Sequence, residues 1–141
     1  MQLANLYRCA QRNQIPVLTH PLPHCLSVSV QTPDGCVIGM DQRVFQSPAK
    51  ERTHLSHELG HCLTGSFYNV YTPHDVRRRH EVRADKWAIR ALIPAQALDE
   101  AVAAGHTQMW ELAEYFEVTE EFMRKAVCYH VHGNLAAELY F

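Results

Sequence analysis

At 141 residues, 47% hydrophobic and 20% charged, the chain is long enough for one domain with a real core and too apolar to stay disordered. A formal net charge of −2 leaves no electrostatic footprint for direct nucleic-acid binding and no polybasic patch for a membrane surface. No stretch approaches the roughly eighteen apolar residues of a membrane span, and the first residues, MQLANLYRCAQRNQIP, lack the apolar core of a signal peptide. A cytoplasmic protein is therefore expected.

In chain order, Leu3, Leu6 and Cys9/Ala10 fall on one stripe of a helix over residues 3–13. Ile15-Pro16 ends it. A short strand is expected at 17–20. Residues 25–31 then alternate, with Leu26, Val28 and Val30 on one side. The Thr32-Pro-Asp-Gly35 turn and a second strand at 36–40 complete a β-hairpin with a four-residue loop. Ser47 before Pro48 is an N-cap followed by proline at the first helical position, and Gly65 is a stop signal, so a helix is expected from 48 to 63 or 64. A loop with three aromatics follows over 66–75, then a helix over 76–92 ended by Pro94. Helices at 95–103 and 108–117 come next, and Thr119 caps a last one to about residue 130. The fold class is α+β, a small antiparallel sheet followed by a helical majority. It is read as one domain over 1–141. Within it, 1–46 supplies the first helix and hairpin, 47–94 the chemistry-bearing helices and 95–130 the C-terminal helices.

The five cysteines, Cys9, Cys25, Cys36, Cys62 and Cys128, are odd in number and none forms a Cys-x-x-Cys pair. Buried reduced thiols are expected, not a disulfide framework or a cysteine-based zinc knuckle. The ten histidines are the unusual feature of the composition.

His57-Glu58-Leu59-Gly60-His61 is an H-E-x-x-H sequence on an expected helix. Side chains at i and i+4 lie one above the other, so both imidazoles can reach one ion, and Glu58 on the same side can take a proton from water. Leu55, Leu59, Cys62 and Leu63 form a core stripe, with His54, His57, Glu58 and His61 on the neighbouring face. A zincin-like active-site helix is therefore expected, anchored on one side and presenting chemistry on the other. A catalytic Zn2+ needs a third protein ligand and an open position. On the next helix Glu81, Ala84, Asp85, Ala88, Ala91 and Leu92 share a face that is apolar except for two carboxylates. The other side carries Arg79, Arg83, Lys86 and Arg90. Carboxylates on a buried face call for a metal or a partner. Glu81 is thus the expected third ligand and Asp85 the expected partner of a ligand histidine. The competing reading has both acids paired with nearby arginines.

The string from Arg52 to His61 (RTHLSHELGH), then Glu81-x-x-Ala-Asp-x-Trp-Ala88 and Leu92-Ile-Pro94, resembles the ImmA/IrrE family of metallopeptidases. That family carries a T-x-x-H-E-x-G-H helix and a later E-x-x-A-(D/N)-x-F-A…L-x-P helix. The segment Trp110–Val118 resembles its L-A-x-x-F-x-V stretch, so the resemblance covers about residues 36–130. It implies metal ligands at His57, His61 and Glu81 and a catalytic role for Glu58. It also implies an intracellular protease, often borne by prophages or mobile elements, that cuts a repressor or other regulatory protein. Two positions depart from the pattern: Trp87 stands where phenylalanine is usual, and His54 where an apolar residue is usual.

In such a hydrolase the zinc lowers the pKa of water and polarises the scissile carbonyl, while Glu58 carries a proton from the water to the leaving amine. Tyr68, Tyr71, His74, Tyr129 and His130 are candidates for a further donor to the oxyanion. A rival reading takes 107–130 as a helix-turn-helix in a DNA-binding or protein-interaction regulator with a structural zinc and no protease activity. Thr119-Glu120-Glu121 argues against it, because acids stand where phosphates would lie.

Overall fold

The structure is a computed structural model that describes residues 1–133. Helix α1 (Leu3–Arg12) leads into β1 (Val17–Thr19), β2 (Ser27–Thr32) and β3 (Gly35–Met40). A 3-10 turn over Gln42–Gln46 then leads into α2 (Pro48–Thr64), α3 (His74–Leu92), α4 (Ala95–Ala103), α5 (Met109–Phe116) and α6 (Glu120–His132). The expected α+β class with a helical majority is what the chain forms.

The sheet has the order β1-β3-β2. β2 and β3 are the expected antiparallel hairpin, with Val28 opposite Gly39 and Ser29 opposite Ile38. Its loop is shorter than the four residues expected. Thr32 and Gly35 are themselves a cross-strand pair, and the Thr32 hydroxyl donates to the Gly35 carbonyl at 2.8 Å. β1 adds in parallel on the far side of β3, Val17 opposite Ile38. Three residues are too few for alternation to announce a partner, so this parallel pairing was not legible beforehand. β2 is left at the edge of the sheet.

α2 is the central element, packed against the sheet, α1 and α3. The Ser47 hydroxyl caps it by accepting from the Lys50 amide at 3.1 Å, and Gly65 ends it at φ 66°, where only glycine is unstrained. Leu55 and Leu59 are fully buried in one cluster with Ile38, Met40, Leu6 and Ile89. Cys62 and Leu63, expected on that stripe, are only half-buried. Arg52 is buried and satisfied. Its guanidinium donates to the carbonyls of Phe116 and Glu117, both at 3.1 Å, and of Met1 at 2.7 Å, tying α2 to the end of α5 and to the N-terminus. Thr119 caps α6, and its own amide donates to the Thr53 hydroxyl. Phe116, Phe122, Met123 and Ala126 are buried, so α5 and α6 close the core.

α3 begins at His74, two residues earlier than its periodicity suggests. It lies very close to α2. A Cβ on Gly60 would stand 2.4 Å from the Ala84 carbonyl oxygen and 3.0 Å from the Ala84 Cα. The alanines on the inner face of α3 allow this approach.

The cysteines depart from expectation. Cys36 on β3 and Cys62 on α2 form a disulfide, with Cα atoms 5.7 Å apart. Cys9 and Cys128 are half-buried and Cys25 is exposed, so none is the fully buried thiol expected. Spacing along the chain could not reveal the pair, because only the packing of α2 on the sheet brings the two residues face to face. Among the described residues no helix is long and apolar enough to cross a membrane.

Candidate metal centre

α2 and α3 bring His57, His61 and Glu81 together, their ligand atoms all within 4.8 Å of one another. The two Nε2 atoms are 3.2 Å apart. Glu81 Oε2 is 2.8 Å from His57 Nε2, and Glu81 Oε1 is 3.1 Å from His61 Nε2. The i, i+4 spacing on α2 sets the first distance, and the close α2–α3 packing sets the other two.

The far side of each imidazole is held. His57 Nδ1 donates to Asp85 Oδ1 at 2.7 Å, and Asp85 Oδ2 accepts from Lys125 of α6 at 3.2 Å. His61 Nδ1 donates to the Ser66 carbonyl, just past the end of α2. A carbonyl can only accept, so the His61 proton belongs on Nδ1 and its Nε2 carries a lone pair. Two imidazole nitrogens and a carboxylate thus converge on one point, a set that could hold a metal ion.

The electrostatics agree. Burial disfavours charge on His57, but the carboxylates of Asp85 and Glu81 outweigh it and push its pKa up to about 10. Burial likewise opposes charge on Glu81, yet the bond and charge of His57 and the Tyr68 hydroxyl hold its carboxyl well below the usual range. Asp85 is also lowered: its burial is outweighed by His57 and then Lys125. With its pKa raised in this way, His57 keeps a proton in the metal-free protein. A divalent ion must displace it, so the affinity for zinc should weaken about tenfold for each pH unit lost between pH 8 and 6. Competition with a chromophoric chelator measures this. A flat profile would mean that no proton leaves His57.

The competing expectation, that Glu81 and Asp85 pair with arginines, does not hold. Among the described residues their partners are His57, His61, Tyr68 and Lys125. Arg90 instead bonds the Tyr129 hydroxyl at 2.8 Å.

The three groups open onto a cleft of about 390 Å³, lined also by Glu58, His54, Tyr68, and residues 25–29 at and before the start of β2. Glu58 is buried, and its Oε2 accepts from the Ser27 hydroxyl at 2.7 Å. Of the five oxyanion candidates only Tyr68 lines the cleft, its hydroxyl 2.6 Å from Glu81 Oε1. Tyr71 is 92% exposed, and His130 is bonded to the Ile93 carbonyl. Neither these two nor His74 and Tyr129 line the cleft. Ser27, Ser66 and Lys125 were missed by sequence reasoning. Ser66 acts through its carbonyl and carries no side-chain signal. Ser27 lies on the polar side of the β2 alternation, which reads as solvent-facing until α2 is packed beside it.

In comparison with known proteins, the family model for Peptidase M78, the IrrE N-terminal-like domain, matches residues 10–127. No curated protein matches the chain.

Proposed function

The chain belongs to the ImmA/IrrE family of metallopeptidases, and from that premise we propose that it is a zinc endopeptidase with His57, His61 and Glu81 as metal ligands and Glu58 as general base. The observation that carries this is the convergence of two oriented imidazoles and a carboxylate at the floor of a cleft, with a buried carboxylate beside them. Two nitrogens and one oxygen suit zinc, and three protein ligands are the number a catalytic zinc has. The metal would supply an acidified water and polarise the substrate carbonyl.

The protein's own groups do the rest. Asp85 and Lys125 orient His57, and the Ser66 carbonyl orients His61. Glu58 takes the proton from the attacking water and delivers it to the leaving amine. Tyr68 lines the cleft with its hydroxyl on Glu81, and turning from that bond it would donate to the developing oxyanion. β2 is the sheet edge beside the cleft, a place where an extended peptide can be held by backbone hydrogen bonds. That favours a protein substrate, and we propose a regulatory one, such as a mobile-element or prophage repressor. The rival reading, a DNA-binding or interaction regulator with a structural zinc, lacks support. The sequence where phosphates would lie is acidic, and the convergent set has three protein groups, the number of a catalytic zinc, where a structural zinc has four.

We place the protein in the cytoplasm. The Cys36–Cys62 bond argues the other way, since disulfides persist mainly in oxidising compartments. One experiment addresses substrate and compartment together. Cells expressing the wild type or Glu58→Gln are alkylated before lysis and compared by N-terminal proteomics. The proposal expects new N-termini in one or a few proteins of the wild-type cells, with Cys36 and Cys62 alkylated. Identical N-termini would overturn the peptidase reading, and a protected cysteine pair would overturn the cytoplasmic one.

A further inference from the structure

Ser27 opens β2, and its hydroxyl is in contact with two residues of α2. It lies 2.7 Å from Glu58 Oε2 and 3.0 Å from His54 Nδ1. A serine hydroxyl has one proton and two lone pairs, and that proton is donated to Glu58 Oε2 across the shorter of the two contacts. The contact with His54 is then one in which Ser27 accepts, so His54 carries its proton on Nδ1.

We propose that His54 and Ser27 form a one-way hydrogen-bond relay, His54 Nδ1–H to Ser27 Oγ–H to Glu58 Oε2, that positions the general base. The inference rests on the reading of Glu58 as that base. Through the relay one carboxylate oxygen is anchored to the sheet edge. The other, Oε1, has no protein partner among the described residues and stays available to water in the cleft. Both Ser27 and His54 line that cleft. His54 lies one turn before Glu58 on α2, so the relay joins two points of the helix to one point of the strand and resists rotation of the carboxylate. Burial holds the His54 pKa below its ordinary value, in keeping with a neutral ring that donates through a single nitrogen. Ser27 and His54 are positioning residues and do not touch the reacting atoms.

The tautomer gives a direct test. Long-range 1H–15N spectra of histidine-labelled protein, zinc-loaded and metal-free, would be recorded at neutral pH, with His54→Gln used to assign the signal. The relay requires His54 to be protonated on Nδ1 and bare on Nε2 in the wild type and in Ser27→Thr. In Ser27→Ala, with the acceptor gone, that preference should be lost. A wild-type His54 protonated on Nε2, or a tautomer unaffected by Ser27→Ala, would overturn the relay. Once a substrate is in hand, Ser27→Ala should lower kcat by about 10–100-fold with zinc content and KM unchanged, and Ser27→Thr should restore it. Unchanged kcat in Ser27→Ala would refute the positioning role. The spectra need neither substrate nor metal, so a relay seen without any cleavage would count against the peptidase reading alone.

Discussion

Glu58→Gln is expected to lower the rate of substrate cleavage by about 10²–10⁴-fold, the range a positioned general base contributes. The same variant should keep its metal. Glu58 stands apart from the convergent set of His57, His61 and Glu81, and its one protein hydrogen bond among the described residues comes from Ser27. Glutamine keeps the volume and can still accept from that hydroxyl, but it cannot take a proton from water at neutral pH. Turnover of the substrate found by N-terminal proteomics, measured beside zinc content, checks both halves. Full activity would remove Glu58 from the mechanism. Loss of zinc together with activity would make it a ligand or a support of one.

Gly60→Ala is expected to be a severely damaging substitution, with the tightest clash of any glycine-to-alanine change. Its Cβ would fall 2.4 Å from the Ala84 carbonyl oxygen, with the Ala84 carbonyl carbon and Cα both at 3.0 Å. All three are backbone atoms of α3, so no side chain can swing aside and the two helices must part. Overpacking of this kind costs about 3 kcal/mol or more, a fall in Tm of roughly 10 °C for a domain of this size. The separation also carries Glu81 away from the histidines. Zinc affinity should therefore drop by about 10–100-fold, as it does when the supports of a metal site are lost. Thermal melts and chelator competition on the purified variant decide it. A variant with unchanged Tm and unchanged zinc affinity would mean that α2 and α3 are not held this close.

The damage expected from one methyl shows what the sequence could and could not convey. Helix spacing alone put His57 and His61 together, because an i, i+4 pair on an α-helix has nowhere else to go. The carboxylates of Glu81 and Asp85 were legible for a different reason: two charges on an otherwise apolar face require an explanation. The caps at Ser47, Gly65 and Thr119 were likewise legible from local chemistry. What stayed hidden depends on contacts between distant segments. The parallel pairing of Val17 with Ile38, the Cys36–Cys62 bond, the Ser66 carbonyl on His61 and the Lys125 ammonium on Asp85 each join residues whose local patterns say nothing about one another. Ser27 is the plainest case. On its strand it is one of two serines alternating with valines, and only the packing of α2 against the β2 edge turns it into a partner of Glu58.

The central claim is that His57, His61 and Glu81 hold a catalytic zinc. Elemental analysis of protein purified without a nickel column tests it most directly, with His57→Ala and Glu81→Ala alongside. The expected result is close to one zinc per wild-type chain, lost or greatly weakened in both variants while they remain folded. A folded wild type that takes up no zinc even when the metal is added back would contradict the account and leave the cleft without its chemistry.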